Sequence, residues 1–186
     1  YIGVSDRYLI AGSGAVDYKS HLEVPGGKRT RFYDLDIASS RRLVVMDRYT
    51  GEPLWSRRSE LGFRHNAIVA GDGRLFCIDV LPDPVQNALE RRGITPSGRP
   101  SLRALDLATG RGVWRETGNI FGTWLGYSKE HHILLQAGRP SRDMIIGEAG
   151  RGMAAYQAAT GKVIWTNEAK YSGPCILHDA SIITAR

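Results

Sequence analysis

The sequence predicts an all-β fold: a partial β-propeller of about three and a half four-stranded antiparallel blades, with a short helix in one insertion. Three observations predict it. A pattern of apolar strand, Thr-Gly turn and tryptophan occurs three times, as "LVVMDRYTGEPLW" at 43–55, "LRALDLATGRGVW" at 102–114 and "MAAYQAATGKVIW" at 153–165. A second, looser hairpin pattern alternates with it: "IGVSDRYLIA" at 2–11, "AIVAGDGRLFCID" at 67–79, "WLGYSKEHHILLQA" at 124–137 and "CILHDASIITA" at 175–185. The two together give a four-strand unit whose tryptophans recur at 55, 114 and 165, a spacing suited to propeller blades.

Each thirteen-residue copy reads as a hairpin. Glycine accepts positive φ without steric penalty, which places the turns at Thr50-Gly51, Thr109-Gly110 and Thr160-Gly161. Asp47 and Asp106 stand where a carboxylate accepts backbone N–H groups of the turn; the third copy has Gln157 there and is expected to be held less firmly. A four-stranded sheet with two apolar faces cannot bury both alone, so neighbouring copies stack. Trp55, Trp114 and Trp165 are the expected wedges between blades, each burying about 200 Å². Trp124 lies outside the pattern. The chain 1–186 is read as one partial propeller domain, with blades at about 2–59, 63–117 and 121–168 and a half blade at 173–185. That arrangement has fourteen strands. Closed propellers need roughly 4 to 8 blades, so the chain reads as a piece of a longer ring, its open ends expected to meet the remaining blades or a second copy.

The pattern Ala-x-Asp-x-x-Thr-Gly-x-x-x-Trp resembles the tryptophan-docking motif of PQQ-type β-propeller repeats. "ALDLATGRGVW" at 104–114 matches it fully, "VMDRYTGEPLW" has Val45 for alanine, and "AYQAATGKVIW" lacks the aspartate. The resemblance, with the intervening hairpins, covers nearly the whole chain. It implies one of two functions, because the family includes quinone-dependent dehydrogenases, which carry PQQ and calcium over the propeller axis, and cofactor-free scaffolds such as the outer-membrane assembly lipoprotein. It also implies a periplasmic or cell-envelope location. The adjacent cysteine pair that often accompanies the quinone is missing here, and no position matches the family's catalytic aspartate or calcium ligands.

In antiparallel blades the second-to-third-strand loops and the inter-blade links emerge on one face. The short turns emerge on the other. Here the long insertions, at about 12–42, 81–101 and 138–152, all fall on the first face, where function on a rigid scaffold concentrates. The middle one contains "DPVQNALERRG" at 83–93, which predicts a helix with Asp83 as N-cap, Pro84 at the first helical position and Gly93 at the stop. Val85 and Leu89 should pack it down, leaving Glu90, Arg91 and Arg92 to solvent. The insertions hold Lys19, Lys28, Arg29, Arg31, Arg41, Arg42, Arg91, Arg92, Arg99, Arg139, Arg142 and Arg151 against Asp17, Glu23, Asp34, Asp36, Asp83, Glu90, Asp143 and Glu148. This basic excess and the net charge of +6 suit a protein or anionic ligand on that face.

Other chemistries find little support. "YLIAGSGAVDY" at 8–18 begins like a dinucleotide loop but has Asp17 at the third glycine position, and "PGGKRT" at 25–30 has Leu22 where a phosphate loop requires glycine. Nucleic acid is admitted by the charge but by no motif that combines stacking with basic residues. Cys77 and Cys175 fit neither a metal spacing nor a redox pair and read as free, buried thiols. His131 and His132, taken as strand-edge residues, would point to opposite faces and could not share a metal. No apolar run reaches the length of a membrane-spanning helix. The resulting expectation is a scaffold that binds or assembles partners through the insertion-bearing face, with no catalytic residues, metal or cofactor assigned. The alternative is part of a PQQ-dependent alcohol or sugar dehydrogenase whose catalytic residues lie elsewhere.

Overall fold

The computed structural model describes residues 1–16, 38–138 and 151–185. The fold is all-β, with one helix among the described residues, the partial propeller that the repeats predict. The first blade comprises β1 (Ile2–Ser5), β2 (Tyr8–Ala15), β3 (Ser39–Asp47) and the start of β4 (Pro53–Gly71). The second continues through the rest of β4 to β5 (Arg74–Asp79), β6 (Ser101–Asp106) and β7 (Gly112–Glu116). These seven strands are hydrogen-bonded as one sheet, and a separate sheet has the order β11-β10-β9-β8, formed by β8 (Trp124–Ser128), β9 (Ile133–Ala137), β10 (Arg151–Gln157) and β11 (Val163–Lys170). A two-stranded sheet follows, β12 (Ser172–His178) with β13 (Ser181–Ala185). All the pairings are antiparallel.

Fourteen strands are expected, and the described residues form thirteen. The fourth strand of the first blade runs unbroken into the first strand of the second: β4 pairs with β3 through Val45↔Trp55 and Ser40↔Phe63, and with β5 through Ile68↔Cys77 and Gly71↔Arg74. The link stays extended because the Asp79 carboxylate accepts the backbone N–H groups of Glu60, Leu61 and Gly62, each at 2.8 Å.

The three repeated hairpins close alike. Gly51, Gly110 and Gly161 have φ of 73°, 70° and 77°, and each donates its N–H to the carbonyl of Asp47, Asp106 or Gln157 at 2.8 Å. Asp47 Oδ1 also accepts the N–H of Tyr49 and Thr50, and Asp106 Oδ1 the N–H and hydroxyl of Thr109. Gln157 keeps only the Thr160 hydroxyl, at 2.8 Å, so its turn has fewer side-chain bonds, as the missing aspartate predicts. In each hairpin the register slips at the residue before the tryptophan: Val45 faces Trp55 but Met46 faces Pro53, and the same slip passes over Val113 and Ile164. Such a bulge re-aims the next side chain. It leaves Leu54, Val113 and Ile164 about half exposed and turns the tryptophans toward the neighbouring blade.

There Trp55 Nε1 donates to the Leu107 carbonyl at 2.8 Å, and Trp114 Nε1 to the Ala158 carbonyl at 2.9 Å. Both acceptors belong to the next blade's Thr-Gly hairpin. A Cβ added at Gly110 would stand 2.6 Å from the Trp55 ring, and one at Gly161 equally close to that of Trp114. The repeated glycine therefore meets two demands, positive φ and room for an indole. Trp165 packs instead against the core cluster that contains Leu135, Ala155 and Cys175, and among the described residues no Thr-Gly turn lies against it.

Three apolar cores fill the spaces between sheets: one around Val45, Phe63 and Cys77, one around Phe76, Leu102 and Tyr156, and one around Leu135, Met153 and Cys175. The two cysteines are free and buried in separate cores. Burial pushes the Cys77 thiol up to about 12 and raises that of Cys175. Because the thiolate is the reactive species, neither should react with iodoacetamide in the folded protein at neutral pH, and both should react after unfolding. Mass spectrometry of the alkylated protein checks this; rapid native-state labelling of Cys77 would contradict the packing.

The helix α1 (Asp83–Glu90) forms where expected, with one correction at its start. Asp83 is not the N-cap. Pro82 holds that position, and its carbonyl accepts the N–H groups of Val85 and Gln86, so Asp83 becomes the first helical residue, beside the positive end of the dipole. Gly93, at φ 65°, ends the helix as its position predicts. Its N–H reaches the Glu90 carbonyl and that of Ile94 the Leu89 carbonyl, the paired closure of a Schellman stop. Val85, Ala88 and Leu89 bury against Val16, Leu61 and Leu81 and fix the helix to the blades.

Candidate functional site

The links β2–β3, β5–β6 and β9–β10 leave the sheets on the same face as the β4 segment at 60–62. Most of the first and third links, and with them Lys19, Lys28, Arg29, Arg31, Arg139 and Arg142, lie outside the described residues. So do the acids Asp17, Glu23, Asp34, Asp36, Asp143 and Glu148. Arg41, Arg42, Arg91, Arg92 and Arg99 are all exposed.

Beneath this face is an ionic frame. Asp79, wholly buried at the end of β5, holds the inter-blade link through three N–H bonds and pairs with Arg103 at 3.0 Å. The Arg103 guanidinium also reaches Glu60 Oε1 at 2.6 Å, and Arg115 binds the two Glu60 oxygens, each at 2.9 Å. Arg115, then Arg103, hold the Glu60 carboxyl below its usual range against the opposing effect of burial. These four residues come from β4, β5, β6 and β7 and share no sequence spacing. The one legible sign is an aspartate closing the apolar run "LFCID".

Two adjoining hollows open above the frame. The larger, about 380 Å³, is lined by Arg41, Arg58, Ser59, Glu60, Gly98 and neighbours; the smaller, about 220 Å³, by Leu61, Leu81, Leu89, Ile94 and Pro96. Val16, Glu60, Leu61 and Ser97 line both, so a polar, cationic half continues into an apolar half. Gly98 permits the join: a Cβ there would stand 2.8 Å from Glu60 Cβ and 3.1 Å from the Leu61 side chain.

The opposite face carries a smaller cluster. Asp72 Oδ2 accepts the Tyr127 hydroxyl at 2.5 Å and lies 2.9 Å from His132 Nδ1. The Tyr127 hydrogen bond, followed by that of His132, lowers the Asp72 carboxyl from its usual range. His131 Nε2 meets the Asp179 carbonyl at 3.0 Å. The two histidines lie in the β8–β9 turn rather than on a strand edge, a correction explained by His132's φ of 52°, and they reach toward different neighbouring hairpins. Among the described residues no three of His, Cys, Asp and Glu are placed to hold a metal ion.

The stacked blades, with tryptophans docked on Thr-Gly hairpins, define a β-propeller of PQQ-like repeats. Residues 23–174 match the family described as outer membrane protein assembly factor BamB, and the chain belongs to that family. Comparison with curated proteins finds no match. Among solved structures, BamB from Moraxella catarrhalis is similar at 15% identity and a TM-score of 0.52, over 79% of this chain and 38% of that one. A europium-containing methanol dehydrogenase aligns at 13% identity and a TM-score of 0.55, over 96% of this chain and 35% of its own. The quinohemoprotein alcohol dehydrogenase ADHIIG from Pseudomonas putida HK5 aligns at 14% and 0.53, over 98% and 30%. The chain thus spans 30–38% of the length of these structures. At such identities they share its fold.

Proposed function

We propose that the protein is a cell-envelope scaffold that holds a protein partner on its insertion-bearing face, at the cleft between the first two blades. The observation that carries this reading is the two-part cleft itself, set over a rigid ionic frame and flanked by a packed helix. Membership in a family described by an outer-membrane assembly factor supports the protein-binding role and the envelope location. No helix among the described residues is long and apolar enough to cross a membrane. Exposed apolar residues at the two ends of the chain, Ile2 and Val4 on β1 and Ile176 and Ile183 on the last hairpin, suit contact with remaining blades or a second copy.

A photoreactive amino acid placed at Ser97, on the cleft, should cross-link a protein partner in the cell envelope, whereas one at Thr109, on the opposite face, should not. Equal adducts at both positions would argue against a specific face. The dehydrogenase reading makes a separate demand: PQQ with calcium should raise the melting temperature and confer dye-linked alcohol oxidation. The scaffold reading expects neither, and both together would overturn it.

A further inference from the structure

We infer that the cleft recognises an acidic peptide segment in which a carboxylate neighbours a large apolar side chain. The inference rests on the scaffold reading and names the chemistry of the partner. Two guanidiniums, Arg41 and Arg58, line the polar hollow, both exposed, and neither has a hydrogen-bond or ion-pair partner among the described residues. Their arrangement is built into the sheet. Arg58 faces Arg42 across the β3–β4 ladder, and Arg41 stands opposite an irregular stretch of β4, where the four residues 59–62 lie between the partners of Arg42 and Ser40. Ser59 Oγ, at the start of that stretch, donates to the Arg41 carbonyl at 3.0 Å and ties the two strands together there.

Gathering cations without an acid between them is unfavourable unless an anion arrives. The one carboxylate among the described residues of the lining, Glu60, does not serve: Arg103 and Arg115 already hold it. The described lining of the hollow therefore has an excess of positive charge, and a planar carboxylate matches a guanidinium by paired hydrogen bonds. The adjoining hollow is of the opposite character. Leu61, Leu81 and Leu89 form its buried floor, and Ile94, left exposed just beyond the helix stop, stands in its lining. Its volume of about 220 Å³ suits a single large side chain rather than a fold. A free anion would use only the first hollow and an uncharged apolar ligand only the second; a peptide carrying both groups on adjacent residues uses the two together.

The test is fluorescence anisotropy of a labelled, end-blocked peptide of alternating Asp and Leu with the full chain at low and moderate salt. Saturable binding is expected, weakening with salt and lost when Asp is replaced by Asn or Leu by Ala. Arg41→Ala and Arg58→Ala should each raise Kd by at least about tenfold, Ile94→Ser likewise, and Arg58→Lys should restore part of the loss. No saturable binding, equal affinity for the Asn peptide, or indifference to both arginine variants would overturn the proposal. Tighter binding of laurate than of the peptide would also overturn it, in favour of a lipid carboxylate. The Ser97 cross-link separates the two levels: if it persists in an Arg41→Ala, Arg58→Ala double variant, the scaffold stands and the acidic-peptide assignment falls.

Discussion

Replacing Asp79 by alanine is expected to destabilise the protein by about 3–5 kcal/mol, the range for breaking a buried ion pair by removing one partner. The carboxylate is fully buried and accepts three backbone N–H groups and the Arg103 guanidinium. Alanine leaves all four donors without it, and buried donors without acceptors bear their full desolvation cost. Asparagine should be nearly as damaging: its oxygen can keep the Leu61 and Gly62 bonds, but its amide group then confronts the Glu60 N–H and Arg103 as donor against donor. Arg103→Ala should cost less, because Asp79 keeps its three N–H partners. Denaturant unfolding measures the losses, and hydrogen exchange at residues 60–62 localises them. A loss for Asp79→Ala below about 1 kcal/mol would mean that the link is held by something else. The effect should reach the cleft as well, since Glu60 and Leu61, which line both hollows, sit on the segment Asp79 ties down.

Why the sequence announces the blades but not this frame is a matter of range. A hairpin is a local event: Asp47, Thr50 and Gly51 act within five residues, so their chemistry is written in consecutive letters and repeats visibly. The tryptophan spacing is local too, and only its partner is distant, at 52 residues from Trp55 to Leu107. The helix stop at Gly93 follows the same logic. Its start lies one residue earlier than the Asp83-Pro84 pair suggests, because a proline is tolerated at the second helical position as well as the first. The frame, by contrast, joins Glu60 to Arg103 and Arg115 across separations of 43 and 55 residues, with no periodicity to mark them. Arg41 and Arg58 appear in sequence as ordinary loop and strand cations. Only the pairing of β3 with β4, and the irregular β4 stretch at 59–62 opposite Arg41, bring them into one hollow. A repeat thus discloses what each blade shares and conceals what one pair of blades does alone.

The tryptophans should divide by whether their docking turn is present. Trp55→Ala and Trp114→Ala are each expected to cost about 3–5 kcal/mol, the range for emptying a large aromatic site. Each removes a ring seated on a glycine of the next blade together with an indole bond to a backbone carbonyl, that of Leu107 or Ala158. Phenylalanine at either position keeps most of the area but gives up that bond, for a smaller loss of about 1 kcal/mol. Trp165→Ala should cost clearly less than either in the 186-residue chain, because its ring packs on the core cluster that contains Cys175 with no such turn among the described residues. The reciprocal change tests the same contact from below. Gly110→Ala must fit a Cβ 2.6 Å from the Trp55 ring at a φ of 70°, whereas Gly51, with φ 73°, has nothing within 4 Å of that point. Both glycines share the backbone strain, so the difference between Gly110→Ala and Gly51→Ala isolates the indole contact. Thermal unfolding of the five alanine variants decides it. Equal losses at all three tryptophans, or at both glycines, would mean that the indole-on-glycine contact does not hold the blades together.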